Sequence, residues 1–117
     1  RSRQEISNVT TDTIIKDSLV YISKHISENL SLQHVAQHVA LNPSYFSRKF
    51  KAVVGTNFRE YIIFLRISKA EQLLTSSKLS VSEISYICGF HDSNYFSVVF
   101  KKIVGISPVK FRKQNKI

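Results

Sequence analysis

The sequence predicts an all-α fold of about seven helices, with two helix-turn-helix subdomains joined by a long central linker helix. Apolar residues recur at steps of three and four residues throughout the 117-residue chain. Strand patterns are nearly absent, and only three Gly and two Pro interrupt the helical pattern. One helical segment also occurs twice, which indicates that a structural unit is duplicated.

The first two predicted helices lie near the amino-terminal end. A polar lead over residues 1–10 precedes an amphipathic helix that begins at Thr11 and ends near Asn29. Ser31 has the side chain that an N-cap requires, so a short second helix follows it and stops before Leu41. Because the chain lacks methionine, we expect residues 1–10 to lead in from an upstream domain of a longer protein.

A third helix and a long fourth helix come next. Asn42 is the expected N-cap of the third helix, and Pro43 takes its first position, where the missing amide donor has no partner to lose. Gly55 is the expected left-handed C-cap. The fourth helix covers about residues 57–75, which corresponds to about 30 Å of helix. Two short helices on either side of a tight turn form the helix-turn-helix pattern.

Three shorter helices complete the chain. Ser80 and Asp92 are the expected N-caps of the fifth and sixth helices, and Gly105 is the expected C-cap of the sixth. Ser107, which precedes a proline, begins a short seventh helix. The tail over residues 114–117 is expected to be frayed.

The duplicated segment organises this prediction. Residues 44–55 return fifty positions later as residues 94–105, with Tyr, Phe, Ser, Phe, Lys, Val and Gly in register. The preceding helix repeats at a spacing of forty-nine, from Ser31 to Ser80, so the second turn is expected to be one residue longer. Duplication for packing alone is the alternative, but two units are few for a helical repeat array. The expected domain spans residues 11–113, with a first unit over about 11–56, the linker helix over about 57–75 and a second unit over about 76–113.

Composition narrows the class of protein. The chain has 17 Lys and Arg against 8 Asp and Glu, a net charge of +9 that favours a polyanionic partner. Its one cysteine, Cys88, has no internal partner, which suits a reducing cytosol. No apolar run approaches the roughly 18 residues of a membrane-spanning helix, so a soluble, cytoplasmic protein is expected.

The two faces of the repeated helix have different predicted roles. Two phenylalanines four residues apart in each copy form a stripe that is expected to be buried, and the opposite face is polar. Arg matches the O6 and N7 acceptors of guanine, Asn pairs with adenine, and Val can touch only the thymine methyl group. The expected base-reading residues are Ser44, Ser47, Arg48 and Lys51 in the first copy, and Ser93, Asn94, Ser97 and Val98 in the second.

Further residues have side chains that suit phosphate contacts or, less well, enzyme chemistry. Tyr45 and Tyr95 are expected at the edge of the core with hydroxyl groups free for phosphate, and the basic residues near them position the domain on DNA. His34 and His38 stand one helical turn apart without an obvious third metal ligand, and Cys88 is expected to be a small core residue. We therefore expect no catalytic residue, metal site or cofactor. The expected phosphate-contacting residues are Tyr45, Lys49, Tyr95, Lys101, Lys102, Lys110 and Arg112.

Taken together, these residues resemble the C-terminal DNA-binding domain of the AraC/XylS family of bacterial transcription regulators. The resemblance covers about residues 11–113. Residues 42–47 look like the first recognition helix of the family. Arg66-Ile67, Ala70 and Leu73-Leu74 look like the linker helix of the family. The most specific motif consists of Ile84, Ile87, Gly89-Phe90, Tyr95-Phe96-Ser97, Phe100-Lys101, Gly105, Pro108 and Phe111-Arg112.

The resemblance implies seven helices in which the third and sixth read DNA and the long fourth joins the two units. Many members have Arg at the place of Val98, so the second unit is expected to read weakly or through methyl contacts and DNA shape. The lead sequence looks most like the response-regulator branch, in which a receiver precedes this domain, and an upstream cupin-like domain is the alternative.

The expected function is sequence-specific reading of double-stranded promoter DNA, by two helices in successive major grooves about 34 Å apart. Activation is the commoner mode in the family, and RNA polymerase is an expected partner. The fragment is expected to be monomeric, whereas the longer protein could dimerise through its upstream domain. The alternative function is a protein-interaction module that docks on RNA polymerase and has only non-specific affinity for DNA.

Overall fold

A computed structural model of the chain describes residues 3–115, with side chains from Thr10 onward. All regular elements in this range are helices, which confirms the predicted all-α class with seven helices. None of the described helices is both long enough and apolar enough to cross a membrane. The helices are α1 (Arg3–Lys24), α2 (Leu32–His38), α3 (Pro43–Val54), α4 (Phe58–Ser76), α5 (Val81–Ile87), α6 (Ser93–Val104) and α7 (Pro108–Gln114).

The helices are distributed between two compact units. The first unit contains the chain up to His25 together with residues 30–62, and the second contains residues 26–29 together with the chain from Ile63 onward. Helix α4 therefore contributes its first residues to one unit and the remainder to the other. The prediction of two helix-turn-helix subdomains with a long helix between them in sequence is confirmed.

Phenylalanine side chains fill the core of the first unit. Phe46 and Phe50 of α3 are fully buried. The Phe50 ring packs edge-on against Phe58 and Tyr61, both from the start of α4, with centroids 5.7 and 5.5 Å away. Burying large aromatic side chains supplies much of the free energy that holds a small unit together. One face of α3 is thereby turned inward, and its opposite face remains on the surface.

The second unit repeats this packing with different partners. Phe96 and Phe100 of α6 are also fully buried, and Phe100 packs edge-on against Phe111 of α7 with centroids 5.5 Å apart. The two edge-on pairs have nearly the same geometry, with ring planes at 71° here and 73° in the Phe50–Tyr61 pair. The duplication seen in the sequence is therefore a duplication of core packing. The buried cluster consists of Ile67, Ala70, Leu74, Ile84, Cys88, Phe90, Phe96 and Phe100.

Matched caps begin the helices of both units, as predicted. Ser31 and Ser80 each accept a hydrogen bond at 3.0 Å from the amide three residues later. The side chains of Asn42 and Asp92 accept from the amide two residues later, at 2.9 and 2.8 Å. Each such cap stabilises its helix by about 1 kcal/mol because it satisfies an amide that has no partner inside the helix.

The two turns share one hydrogen-bond pattern but differ in length. In the first, the Leu41 amide donates to the Ala36 carbonyl, and in the second the Phe90 amide donates to the Ser85 carbonyl, both at 2.9 Å. Residues 39–42 separate α2 from α3, whereas residues 88–92 separate α5 from α6, so the second turn has five residues against four. The prediction of one extra residue is confirmed.

The bounds of α1 differ from those expected. The helix begins at Arg3, inside the supposed polar lead over residues 1–10, because no Gly or Pro interrupts that stretch. It ends at Lys24 rather than near Asn29. Beyond this end, the carbonyls of Ile26 and Glu28 accept hydrogen bonds from the side chain of Arg66.

The expected frayed tail over residues 114–117 is partly ordered. Gln114 is the last residue of α7, and the side-chain amide of Asn115 donates to the Phe111 carbonyl at 2.8 Å. This bond satisfies one of the carbonyls that a helix end leaves without an internal partner. Residues 116 and 117 lie outside the described part of the chain.

Gly89 and Gly105 offer a matched test of packing at positive φ. Both have φ near +100°, but a Cβ at Gly89 would lie 2.8 Å from the Ile26 carbonyl oxygen, whereas a Cβ at Gly105 would meet nothing within 4 Å. Each alanine variant is expected to lose about 1–2 kcal/mol from the left-handed backbone. Gly89→Ala is expected to lose about 1–3 kcal/mol more because a backbone atom obstructs the methyl group. Urea unfolding measures the difference, and equal losses in the two variants would contradict this account.

Candidate nucleic-acid interface

Helix α3 presents a polar and cationic surface opposite its buried phenylalanines. Ser44, Arg48 and Lys51 are exposed, and Ser47 is half-buried between them. These four residues follow one another at steps of three, one and three, so they form one stripe along the helix. The structure therefore places all four residues that the sequence predicted to read bases in the first unit on one accessible face.

Tyr45 lies beside this stripe in a different environment from the one expected. Its ring is half-buried, with the Arg48 Cζ 6.0 Å and the Lys49 Nζ 5.9 Å from the ring centroid. Its hydroxyl oxygen lies 3.5 Å from the Thr11 Oγ1, so the expectation of a free hydroxyl is not met. At these distances the ring attracts both cations weakly. Tyr45 thus helps to keep the Arg48 and Lys49 head groups close to α3.

Helix α6 presents the corresponding surface in the second unit. Asn94 is exposed, Val98 is 68% exposed, and Ser93 and Ser97 are half-buried. The exposed Lys101 stands fifty positions after Lys51 and so occupies the equivalent place on its helix. The predicted base-reading residues of this unit share one face too, but no cation stands at the position of Arg48.

The charge around the starts of the two helices also differs. Helix α3 is capped by a neutral Asn42, whereas α6 is capped by Asp92, whose carboxylate stands at the amino-terminal end of the helix. Amides at a helix start attract anions, and a carboxylate already at that position competes with a phosphate. Helix α3 thus has Arg48, Lys49 and Lys51 after a neutral cap, whereas α6 has Lys101 and Lys102 after a carboxylate.

The predicted phosphate-contacting residues fall into two groups. Lys101, Lys102 and Lys110 are exposed, and Tyr95 is 44% exposed with its ring 6.2 Å from that of Phe90. Arg112 is different, because its guanidinium donates to the carbonyl oxygens of Leu74 at 2.9 Å and Ser77 at 3.3 Å. We therefore correct the expected role of Arg112: its side chain joins α7 to the end of α4 instead of reaching outward.

The histidines that could have suggested a metal site contact an aromatic residue instead. The Tyr21 hydroxyl lies 2.8 Å from the His34 Nε2, and the His38 ring stacks on the Tyr21 ring with centroids 3.8 Å apart. In the part of the chain that the structure describes, no group of three or more His, Cys, Asp or Glu residues is arranged to hold a metal ion.

Cys88 is fully buried in the second unit, and Arg66 is half-buried there. Burial raises the pKa of the Cys88 thiol to about 11, against the opposing influence of Lys69 and Arg66. Burial also lowers the pKa of the Arg66 guanidinium, an effect that Cys88 opposes. A neutral buried thiol is a core side chain and not a nucleophile at neutral pH, because the thiolate is the reactive form.

Sequence reasoning missed the contact between Arg66 and the second turn. The Arg66 Nε and one terminal nitrogen donate to Ile26 at 3.0 Å and Glu28 at 2.8 Å, and Gly89 lies directly against this guanidinium. In the sequence, the Arg66-Ile67 pair indicates only the linker helix. Gly89 is the one sign in the sequence that another group packs closely against this turn. Nothing in the sequence indicates that this group is the side chain of Arg66.

Known proteins share this arrangement. Residues 35–114 match a family described as a helix-turn-helix domain. The regulatory protein PocR of Salmonella typhimurium is 36% identical over 96% of this chain and 39% of its own length. The arabinose operon regulatory protein of Escherichia coli is 37% identical over 86% of this chain and 35% of its own length. The C-terminal domain of AraT, a response regulator from Geobacillus stearothermophilus, superposes with a TM-score of 0.86 at 36% identity, over 89% of this chain and 87% of that domain.

The chain belongs to the AraC family of helix-turn-helix transcription regulators. Members of the AraC family are DNA-binding regulators and not enzymes, and their partner is double-stranded DNA. The chain spans 35–41% of the length of four curated relatives that it matches. In this AraC-family domain, the exposed faces of α3 and α6 are thus the candidate DNA interface.

The buried thiol of Cys88 can be tested by alkylation. We expect iodoacetamide to react slowly with the native domain at pH 8, because a thiol with a pKa of about 11 holds almost no thiolate there. In urea the reaction is expected to reach the rate of an unstructured cysteine. Since the native pKa is raised, burial of the neutral thiol contributes stability that is lost as the pH rises from the unfolded pKa through the native one. Equal alkylation rates with and without urea would contradict the assignment.

Proposed function

We propose that this AraC-family domain reads promoter DNA by inserting α3 and α6 into successive major grooves. One observation supports the proposal above the others: each unit buries a phenylalanine pair on one side of its second helix and exposes a polar stripe on the other. A major groove about 12 Å wide admits one α-helix, and only the exposed face can then reach base edges. Two such helices in one chain need no dimer to cover two sub-sites.

The two sub-sites are proposed to differ in sequence. In the first, Arg48 is the candidate for a bidentate contact with guanine, assisted by Ser44, Ser47 and Lys51. In the second, Asn94 is the candidate for adenine and Val98 for a thymine methyl group, with Ser93 and Ser97 beside them. The first unit is proposed to supply most of the discrimination, because Arg48 can form a bidentate contact with guanine, whereas Val98 at the equivalent position can touch only a thymine methyl group.

Phosphate contacts complete the proposed interface. Lys49, Lys101, Lys102 and Lys110 provide positive charge near the two helices, and the exposed Tyr95 stands near the start of α6. The hydroxyl of Tyr45 contacts Thr11, so Tyr45 is proposed to act by keeping the head groups of Arg48 and Lys49 close to α3. Arg112 is left out of this set because its guanidinium donates to backbone carbonyls. Such contacts position the domain and make binding dependent on salt, but they do not select a sequence.

We further propose that the longer protein acts in the bacterial cytoplasm and activates transcription, the commoner mode in this family. Successive major grooves on one side of DNA are about 34 Å apart. If the spacing of the two helices differs slightly from this distance, a modest bend of the DNA makes up the difference at a cost of a few kcal/mol. Contact with RNA polymerase is the expected route to activation. Docking on polymerase without sequence-specific DNA binding is the competing function.

Selection from a random pool of duplexes tests the proposed function directly. We expect the purified chain, at about 150 mM salt, to enrich two unlike sub-motifs centred about ten base pairs apart. Enrichment of one sub-motif alone would mean that the second unit only contacts the backbone. No enrichment would contradict promoter reading and favour the polymerase-docking alternative.

A matched pair of variants separates base reading from phosphate contact. Arg48→Ala is expected to lose about 1–3 kcal/mol of binding free energy on the selected duplex and to relax the preference at one base pair. Lys102→Ala removes one positive charge from α6, at a position beside the base-facing stripe that corresponds to Ala52 in the first unit. This variant is expected to weaken binding to all duplexes alike. Fluorescence anisotropy on the selected duplex and on single-base variants measures both. If Arg48→Ala lowers affinity for every duplex equally, Arg48 does not read a base.

A further inference from the structure

Arg66 forms an unusual set of contacts within the second unit. It lies in α4, and its guanidinium donates to two backbone carbonyls, those of Ile26 and Glu28. One helical turn away, the Lys69 Nζ donates to the Ser27 hydroxyl at 3.0 Å. The segment over residues 26–29 follows α1 in sequence but belongs to the second unit because α4 holds it in this way.

The guanidinium also supports the turn that leads into α6. Gly89 is buried, and a Cβ at this position would lie 2.8 Å from the Arg66 Nε and 2.8 Å from the Ile26 oxygen. The turn backbone is thus packed directly on the side chain of Arg66 and on the carbonyl that Arg66 binds. Only two residues separate Gly89 from Asp92, the N-cap of α6, so the position of this turn determines where α6 begins.

The first unit has a different arrangement at the equivalent place. Ala40 stands forty-nine positions before Gly89, also has positive φ at 59°, and is exposed. A methyl group is therefore accommodated in the first turn, whereas the second turn has no room for one.

We propose that Arg66 is a positioning residue for the second recognition helix: it holds the segment over residues 26–29 against α4 and so provides the surface on which the α5–α6 turn rests. The inference deepens the proposed function and rests on it, because α6 must be held in place to read its sub-site. Arg66 itself is assigned no contact with DNA. A lysine cannot replace it fully, since an ammonium group lacks the planar fork that reaches two carbonyls at once.

The test compares Arg66→Met with Lys69→Met. Both variants remove one positive charge and a contact to residues 26–29, but only Arg66→Met removes the support beneath Gly89. Hydroxyl-radical footprinting on the selected duplex measures occupancy of each sub-site separately, and amide hydrogen exchange of the free protein measures the stability of the turn. Circular dichroism confirms that each variant is folded.

We expect Arg66→Met to weaken protection of the second sub-site by about tenfold, which corresponds to about 1.4 kcal/mol, while protection of the first changes little. Exchange of the Gly89 and Phe90 amides is expected to accelerate, and exchange within α3 is not. Lys69→Met is expected to weaken both sub-sites slightly and equally, as the loss of one charge would. Arg66→Lys is expected to fall between the wild-type chain and Arg66→Met.

Equal loss at both sub-sites in Arg66→Met, or no loss at either, would overturn the inference. If Arg66→Met is unfolded, Arg66→Lys is judged by the same two measurements and the same criteria. A wild-type chain without any sequence preference would instead contradict the proposed function, and the exchange of the Gly89 and Phe90 amides would then still decide whether Arg66 supports the turn.

Discussion

Burial of the paired phenylalanines in α3 and α6 is the interaction on which the rest of the structure depends. Phe46 and Phe50 in the first unit, and Phe96 and Phe100 in the second, are fully removed from solvent. Each such side chain contributes about 1.5–3 kcal/mol through the surface it withdraws from water. Because the two rings of a pair lie four residues apart, their burial fixes the rotation of the helix about its axis and leaves the opposite residues outside.

The two copies share the same core packing but expose different residues on their surfaces. Caps, turn hydrogen bonds and the edge-on aromatic pair recur in both units, whereas Arg48 becomes Val98 on the exposed face and Asn42 becomes Asp92 at the helix start. Core and caps contribute to stability, and the exposed face is the proposed recognition surface, so the two can diverge separately. The result is one architecture with two unlike surfaces, which suits an asymmetric binding element.

Much of the fold was predictable because its signals are local. A cap residue interacts with amides two or three positions away, and a left-handed glycine ends a helix within its own turn, so Asn42, Asp92, Gly55 and Gly105 could be read from the sequence. The exposed stripes were predictable for the same reason. The hydrogen bond from Arg66 to the Ile26 carbonyl was not, because it joins residues forty positions apart along the chain.

The sequence by itself determined the number of helices, their caps, the repeat and the faces that α3 and α6 expose, because these features arise from interactions within a few residues or from helical periodicity. Only the tertiary structure decided the roles of long side chains with several possible partners. Arg112 donates to carbonyls at the end of α4, Tyr45 contacts Thr11, and Arg66 supports the turn at Gly89. A guanidinium or a hydroxyl can serve equally well on the surface or in a packed contact, and the choice depends on which carbonyls and cavities the folded backbone brings within reach.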